Sequence, residues 1–112
     1  MKVYGITTCG SVKKATSFLK SKNISFEFVD LKKEKVEPET IKRWSEIVGF
    51  GILFNTKGTK FKTLGLDKNL SDEQKFEWLQ KEQLLFKRPI VEIETDDILV
   101  GFNEGIYEAK FC

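Results

Sequence analysis

The spacing of apolar residues changes period several times along the chain, and each change marks a new element. Lys2–Ile6 reads as a short strand. Val12, Ala15, Phe18 and Leu19 then recur at helical spacing, one buried face of a helix that Thr7 and Thr8 can cap and that ends near Lys22-Asn23. From Ile24 to Asp30 the period drops to two, with Ile24, Phe26 and Phe28 on one side and Ser25, Glu27 and Val29 on the other. The opening is a β-α-β unit, expected parallel and right-handed.

Helical spacing returns after the charged stretch Leu31–Val36. Pro38 suits a first turn, Glu39 complements the dipole, and Gly49 suits the C-cap. Ile41, Trp44, Ile47 and Val48 form the stripe between them. Phe50–Asn55 is apolar, Thr56-Lys57-Gly58-Thr59 reads as a turn, and a short helix is expected over Lys60–Leu64. Ser71 with Gln74 resembles a capping box that opens a helix to about Gln83, with Phe76, Trp78 and Leu79 on its apolar face. Pro89–Ile93 then reads as a strand, Thr95-Asp96-Asp97 as a turn and Ile98–Phe102 as the hairpin partner. Asn103 can cap a last helix through Phe111. This order predicts an α/β fold, a thioredoxin-like mixed sheet (β-α-β, then β-β-α) with an all-helical insert. The chain is expected to be one domain, 1–112, with its core in 1–30 and 87–112 and the insert in 31–86.

Composition narrows the function. A chain of 112 residues with 40% apolar content supports one main core. No apolar run approaches the roughly 18 residues of a membrane span. Met1–Gly5 reads as strand rather than secretion signal, so a cytoplasmic location is expected. Two cysteines 103 positions apart are no disulfide framework and fit a reducing compartment. The 19 basic and 17 acidic residues are interleaved, leaving a net charge of only +2, so no nucleic-acid footprint is predicted. The chain has no histidine. That removes Cys–His hydrolase chemistry and imidazole metal sites, and neither a metal nor a bound cofactor is expected.

The candidate chemistry centres on Cys9. It stands where the first strand ends and the first helix begins, facing that helix's free N–H groups. Those donors favour the thiolate and should lower the pKa. The alternative is a small buried hydrophobe. Three places later stands Val12, so the site lacks a Cys-x-x-Cys pair and any disulfide chemistry must draw its resolving thiol from elsewhere. Cys112 is one source, or a simple tail thiol. Ala15 stands six places after Cys9, so the Cys-x5-Arg loop of tyrosine phosphatases is absent. Lys13 and Lys14 can add positive charge near the sulfur or remain solvated. Arg88-Pro89 opens the third strand; the bond can be cis, and the guanidinium fork suits an oxyanion or a surface ion pair.

Five blocks, taken in order, resemble the ArsC/Spx family: Tyr4–Cys9 with Lys13-Lys14-Ala15, Leu53–Thr59, Leu64-Gly65-Leu66, Lys87–Val91 and Val100–Asn103. Within it the chain is most similar to the YffB-like branch, small proteins regarded as glutathione-dependent thiol reductases. The resemblance implies that Cys9 is the nucleophile and that Arg88, before a cis Pro89, binds an oxyanion or the glutathione carboxylate. Thr8, Gly10, Ser11, Lys13, Lys57, Arg88 and Pro89 form the implied substrate or glutathione contact set. Glutathione is the implied co-substrate, with glutathione or glutaredoxin as redox partner and a small oxyanion or mixed disulfide as substrate. The family's arsenate reductases carry three arginines around the cysteine. Only Arg88 matches; Asn55 and Phe102 stand at the other two positions, and Lys57 stands where the YffB and Spx branches have arginine. The Spx branch implies a different class, a transcription regulator that binds RNA polymerase. Val12 in place of a second cysteine removes that branch's redox switch but not a binding surface. A third reading is a binding module without chemistry.

Overall fold

The computed structural model describes residues 1–112. Strand β1 spans Lys2–Gly5, helix α1 Gly10–Ser21 and strand β2 Glu27–Asp30. Helices α2 (Pro38–Val48), α3 (Phe50–Leu53), α4 (Thr59–Leu64) and α5 (Asp72–Lys81) follow, then a 3-10 turn at Gln83–Leu85. Strands β3 (Ile90–Glu94) and β4 (Asp97–Val100) and helix α6 (Glu104–Phe111) complete the chain. The sheet order is β2-β1-β3-β4, with β1 parallel to β2 and the other pairs antiparallel. The fold is thus the expected α/β architecture.

Period-two alternation decides which side each strand residue serves. Val3 and Val91 pack with Ala15, Leu19 and Tyr107 of α1 and α6. Tyr4, Val29, Ile90 and Ile98 turn the opposite way, into a larger cluster with Ile41, Trp44, Leu53, Phe61, Leu79 and Phe86. The sheet therefore lies between two helical layers. Glu92 on β3 ties the α2 side down: its Oε2 accepts from Arg43 Nη1 and Trp44 Nε1, each at 3.0 Å. Tyr4, packed edge-on to Trp44 at 4.8 Å, has its pKa pushed up to about 12, mainly by burial and next by Glu92.

Several element ends differ from the sequence reading. β2 begins at Glu27 rather than Ile24. Asn23 takes a left-handed φ of 58°, and Ile24 donates to Leu19 O to close α1, so Ile24–Phe26 are still leaving the helix. β3 begins at Ile90, because Pro89 has no N–H to give a ladder. β4 stops at Val100, before Gly101 turns at φ 82°. Ile47 is 38% exposed and leaves the α2 stripe; one residue turns a helix by about 100°, which carries it off the face that Val48 shares with Ile41 and Trp44. The Phe50–Asn55 run, which had no element assigned, becomes one helical turn and then a bridge of Phe54 to Phe86. The α5 capping box is present, with Ser71 Oγ accepting from Gln74 N–H and Gln74 Oε1 accepting from Ser71 N–H. That helix ends at Lys81, two residues before its expected end.

Candidate functional site

The largest local correction falls on the site itself. Thr7 and Thr8 do not cap α1. They form a turn in which Cys9 N–H reaches back to Ile6 O at 3.3 Å, and this makes Cys9 the N-cap, in extended conformation at φ −88° and ψ 125°. The α1 start is therefore left with no side-chain oxygen on its free N–H groups. Gly10, Ser11 and Val12 are the first three helical residues, and N-cap side chains are met by the N–H groups of the second and third.

The sulfur's surroundings follow from that count. Cys9 is half-buried against the larger core cluster. Burial pushes its pKa up, and the Val12 N–H, the Arg88 side chain, the Ser11 N–H and the Arg88 charge pull it down; the net result lies below the ordinary thiol value. The same N–H groups and guanidinium are the ones that favour negative charge on the sulfur. Gly5 explains the closeness of Val12. A Cβ on Gly5 would stand 2.6 Å from Val12 Cγ2, so only glycine lets the start of α1 sit on the end of β1.

Arg88 is positioned from the other side. Phe54 bridges to Phe86, Asn55 N–H donates to Leu85 O at 2.8 Å, and Lys87 N–H donates to Leu53 O at 2.7 Å. These bonds anchor the segment before Arg88 to residues 53–55. Its Nη1 donates to Leu84 O at 2.7 Å. The Arg88–Pro89 bond is cis, and Pro89 is buried. Arg88 Nε is buried and has no hydrogen-bond partner, an unspent donor on the guanidinium that meets Cys9.

The structure brings together Cys9, Ser11 and Arg88, with Pro89 beside them in the chain. Thr8 and Gly10 flank the sulfur as exposed neighbours, and nothing lies within 4 Å of where a Gly10 Cβ would stand. Lys13 and Lys57 are exposed and are not among the groups that set the thiol's ionisation. Lys57 instead borders a separate basin of about 640 Å³ with Lys62, Lys68 and Phe61. Asn55 is occupied with its own loop, accepting from Lys57 N–H at 3.1 Å, and Phe102 packs against Tyr107 at 4.8 Å. Sequence reasoning overlooked Val12 as a donor because its side chain reads as core; counting third from Cys9 would have found it. Cys112 is a free, exposed thiol that follows Phe111, whose ring packs 6.5 Å from Phe18 in the second half of α1. No group of three or more His, Cys, Asp or Glu side chains is placed to hold a metal ion, and no helix is long and apolar enough to cross a membrane.

A family model described as the ArsC family matches residues 4–110. Among solved structures the chain is similar to YffB (PA3664), at 29% identity and a TM-score of 0.90, over 99% of this chain and 98% of that one. It is also similar to an arsenate reductase (ArsC) related protein from Brucella melitensis, at 32% identity and a TM-score of 0.77, over 98% and 92% of the two chains. Among curated proteins it is 29% identical to the global transcriptional regulator Spx of Lactiplantibacillus plantarum, over 91% of this chain and 79% of the regulator.

Proposed function

Because the chain belongs to the ArsC family, we propose that it is a glutathione-linked thiol or oxyanion reductase whose single nucleophile is Cys9. The observation that carries this reading is the half-buried N-cap sulfur with Val12 N–H, Ser11 N–H and Arg88 around it. A thiolate is the attacking species, and one near neutral pKa balances abundance against nucleophilicity.

In the preferred reaction the substrate is a mixed disulfide between a thiol and glutathione. The Cys9 thiolate attacks the glutathione sulfur. A Cys9–glutathione disulfide forms, the original S–S bond breaks, and the released thiolate takes a proton from water. A second glutathione, or a glutaredoxin thiolate, attacks the glutathione sulfur of the adduct and returns Cys9 as thiolate. With glutathione as donor, the mixed disulfide is reduced and two glutathiones leave as their disulfide. Arg88, the arginine at the sulfur, orients a glutathione carboxylate, as a planar guanidinium fork does well.

An arsenate-type oxyanion asks more of the site, because several anionic oxygens need neutralising at once. Arg88 is the one arginine at the sulfur, while the Asn55 side chain and the Phe102 ring are engaged elsewhere. A sulfur electrophile is therefore the better match. The test is turnover of a glutathionylated substrate with glutathione as donor, followed by mass spectrometry of the protein. The expected result is one glutathione on Cys9, no turnover by Cys9→Ser and full turnover by Cys112→Ser. Turnover that survives Cys9→Ser would overturn the reading.

The likeness to Spx supports a second reading, a regulator that binds RNA polymerase. It predicts polymerase co-purification that persists in Cys9→Ser, since binding needs no exchange at the sulfur.

A further inference from the structure

Helix α1 carries Lys13, Lys14 and Lys20, with Lys22 just beyond, and has no acidic residue. Beside it lies β2, the edge of the sheet, which pairs only with β1. Glu27 N–H donates to Met1 O and Leu31 N–H to Gly5 O. Along a parallel strand these inward bonds fall on every second residue, so the Phe28 peptide group faces outward, where no strand lies. Between α1 and this edge runs a groove of about 220 Å³. Its floor is Val12, Phe26 and Phe28, and its charged rim is Lys13 and Lys20 with no acid. Glu27 alternates to the opposite face, where it lines a different pocket with Tyr4 and Glu34. Thr7, in the turn before Cys9, closes one end of the groove. Val12 joins groove and sulfur directly: its side chain floors the one and its N–H approaches the other.

We propose that this groove seats an extended segment of a glutathionylated protein partner, with apolar and acidic side chains on the face turned to α1. The segment adds as a strand along the open side of β2 and delivers its mixed disulfide to Cys9. A free edge supplies main-chain hydrogen bonds, and alternate side chains supply selectivity. Phe26 and Phe28 take the apolar side chains; Lys13 and Lys20 take the acidic ones. The proposal rests on the exchange chemistry given above for Cys9 and adds no step to it. It names the partner: an acidic protein segment rather than free glutathione alone.

Two synthetic eight-residue peptides, each holding one glutathionylated cysteine, provide the test. One carries Glu and Phe around the cysteine, the other Lys and Phe, and glutathione disulfide is the reference. The acidic peptide should react with Cys9 at least about tenfold faster than the basic one at low salt, with the gap closing as salt rises. Lys20→Glu should remove that preference, and Phe26→Ser should slow the acidic peptide, while both leave the glutathione disulfide rate unchanged. Equal rates for the two peptides, or a preference that survives Lys20→Glu, would overturn the proposal. So would an equal slowing of glutathione disulfide, which would make the groove a glutathione site. Docking is also read without chemistry. The acidic peptide with serine for cysteine, titrated into Cys9→Ser, should shift the Phe28 amide resonance; no shift there sinks the groove. Inert Cys9 toward every disulfide, with that shift present, sinks the catalytic reading instead.

Discussion

One cysteine caps the start of α1 and the other follows the end of α6, and the contrast isolates what makes a thiol reactive. Cys9 is the N-cap of α1, where peptide N–H groups point at it and Arg88 approaches from the β3 side. Cys112 follows the last turn of α6, its own N–H donating to Glu108 O at 2.9 Å, so the helix end there offers carbonyl oxygens and no donors. Cys112 is exposed, Cys9 half-buried. The same element, entered from its other end, is a different solvent for sulfur. Burial alone would disfavour the Cys9 thiolate; the donors more than offset it.

That contrast can be broken piece by piece, reading alkylation of each cysteine by iodoacetamide against pH. Folding lowers the Cys9 pKa, so ionisation stabilises the native state above the ordinary thiol value. That contribution is lost as pH falls through the native value. The largest effect is expected from Arg88→Gln. It removes both the charge and the fork, moves the Cys9 midpoint upward and slows its alkylation at neutral pH roughly tenfold. Cys112 serves as the internal reference and should not respond. An unmoved Cys9 midpoint would mean that the arginine does not act on the sulfur.

A smaller effect is expected from Gly5→Ala, which drives a methyl into Val12. Overpacking of this kind costs about 1–3 kcal/mol. Displacing the third helical N–H should also slow Cys9 alkylation a few-fold, by loss of part of the capping stabilisation. Val12→Ala on top of Gly5→Ala should restore much of both, because it removes the two methyls that the new Cβ meets. Ser71→Ala is the smallest case. Loss of the α5 capping box should cost about 1 kcal/mol in denaturant unfolding and leave Cys9 alkylation unchanged. A slowed Cys9 there would mean that the helical layer controls the thiol through global stability.

Most of the architecture was legible because it rests on spacing. The two periods located every strand and every long helix, and Ser71 with Gln74 and Asn103 marked two helix starts that the structure reproduces. What spacing does not carry is who pairs with whom at a distance. Nothing in Phe50–Asn55 announces that Phe54 will bridge to Phe86, since one bridge leaves no alternation. The same limit hid Glu92, whose carboxylate gathers Arg43 and Trp44 from 49 and 48 positions away. At the site, the sulfur's address was readable and its role as cap was not. Threonine is a good capping residue and two of them precede Cys9, so local preference pointed to the wrong side chain. The turn closed by Cys9 on Ile6 overrode it.

The tether on Arg88 is a peptide oxygen, that of Leu84. Every amino acid installed at position 84 still presents that oxygen, so a library of substitutions there can look permissive while the tether persists untouched. Only editing the main chain itself, for example an ester in place of the amide that follows Leu84, weakens the acceptor, and it also removes the Leu85 N–H that donates to Glu82 O at 3.0 Å. Tolerance to side-chain replacement is therefore no measure of how much this position matters to the guanidinium.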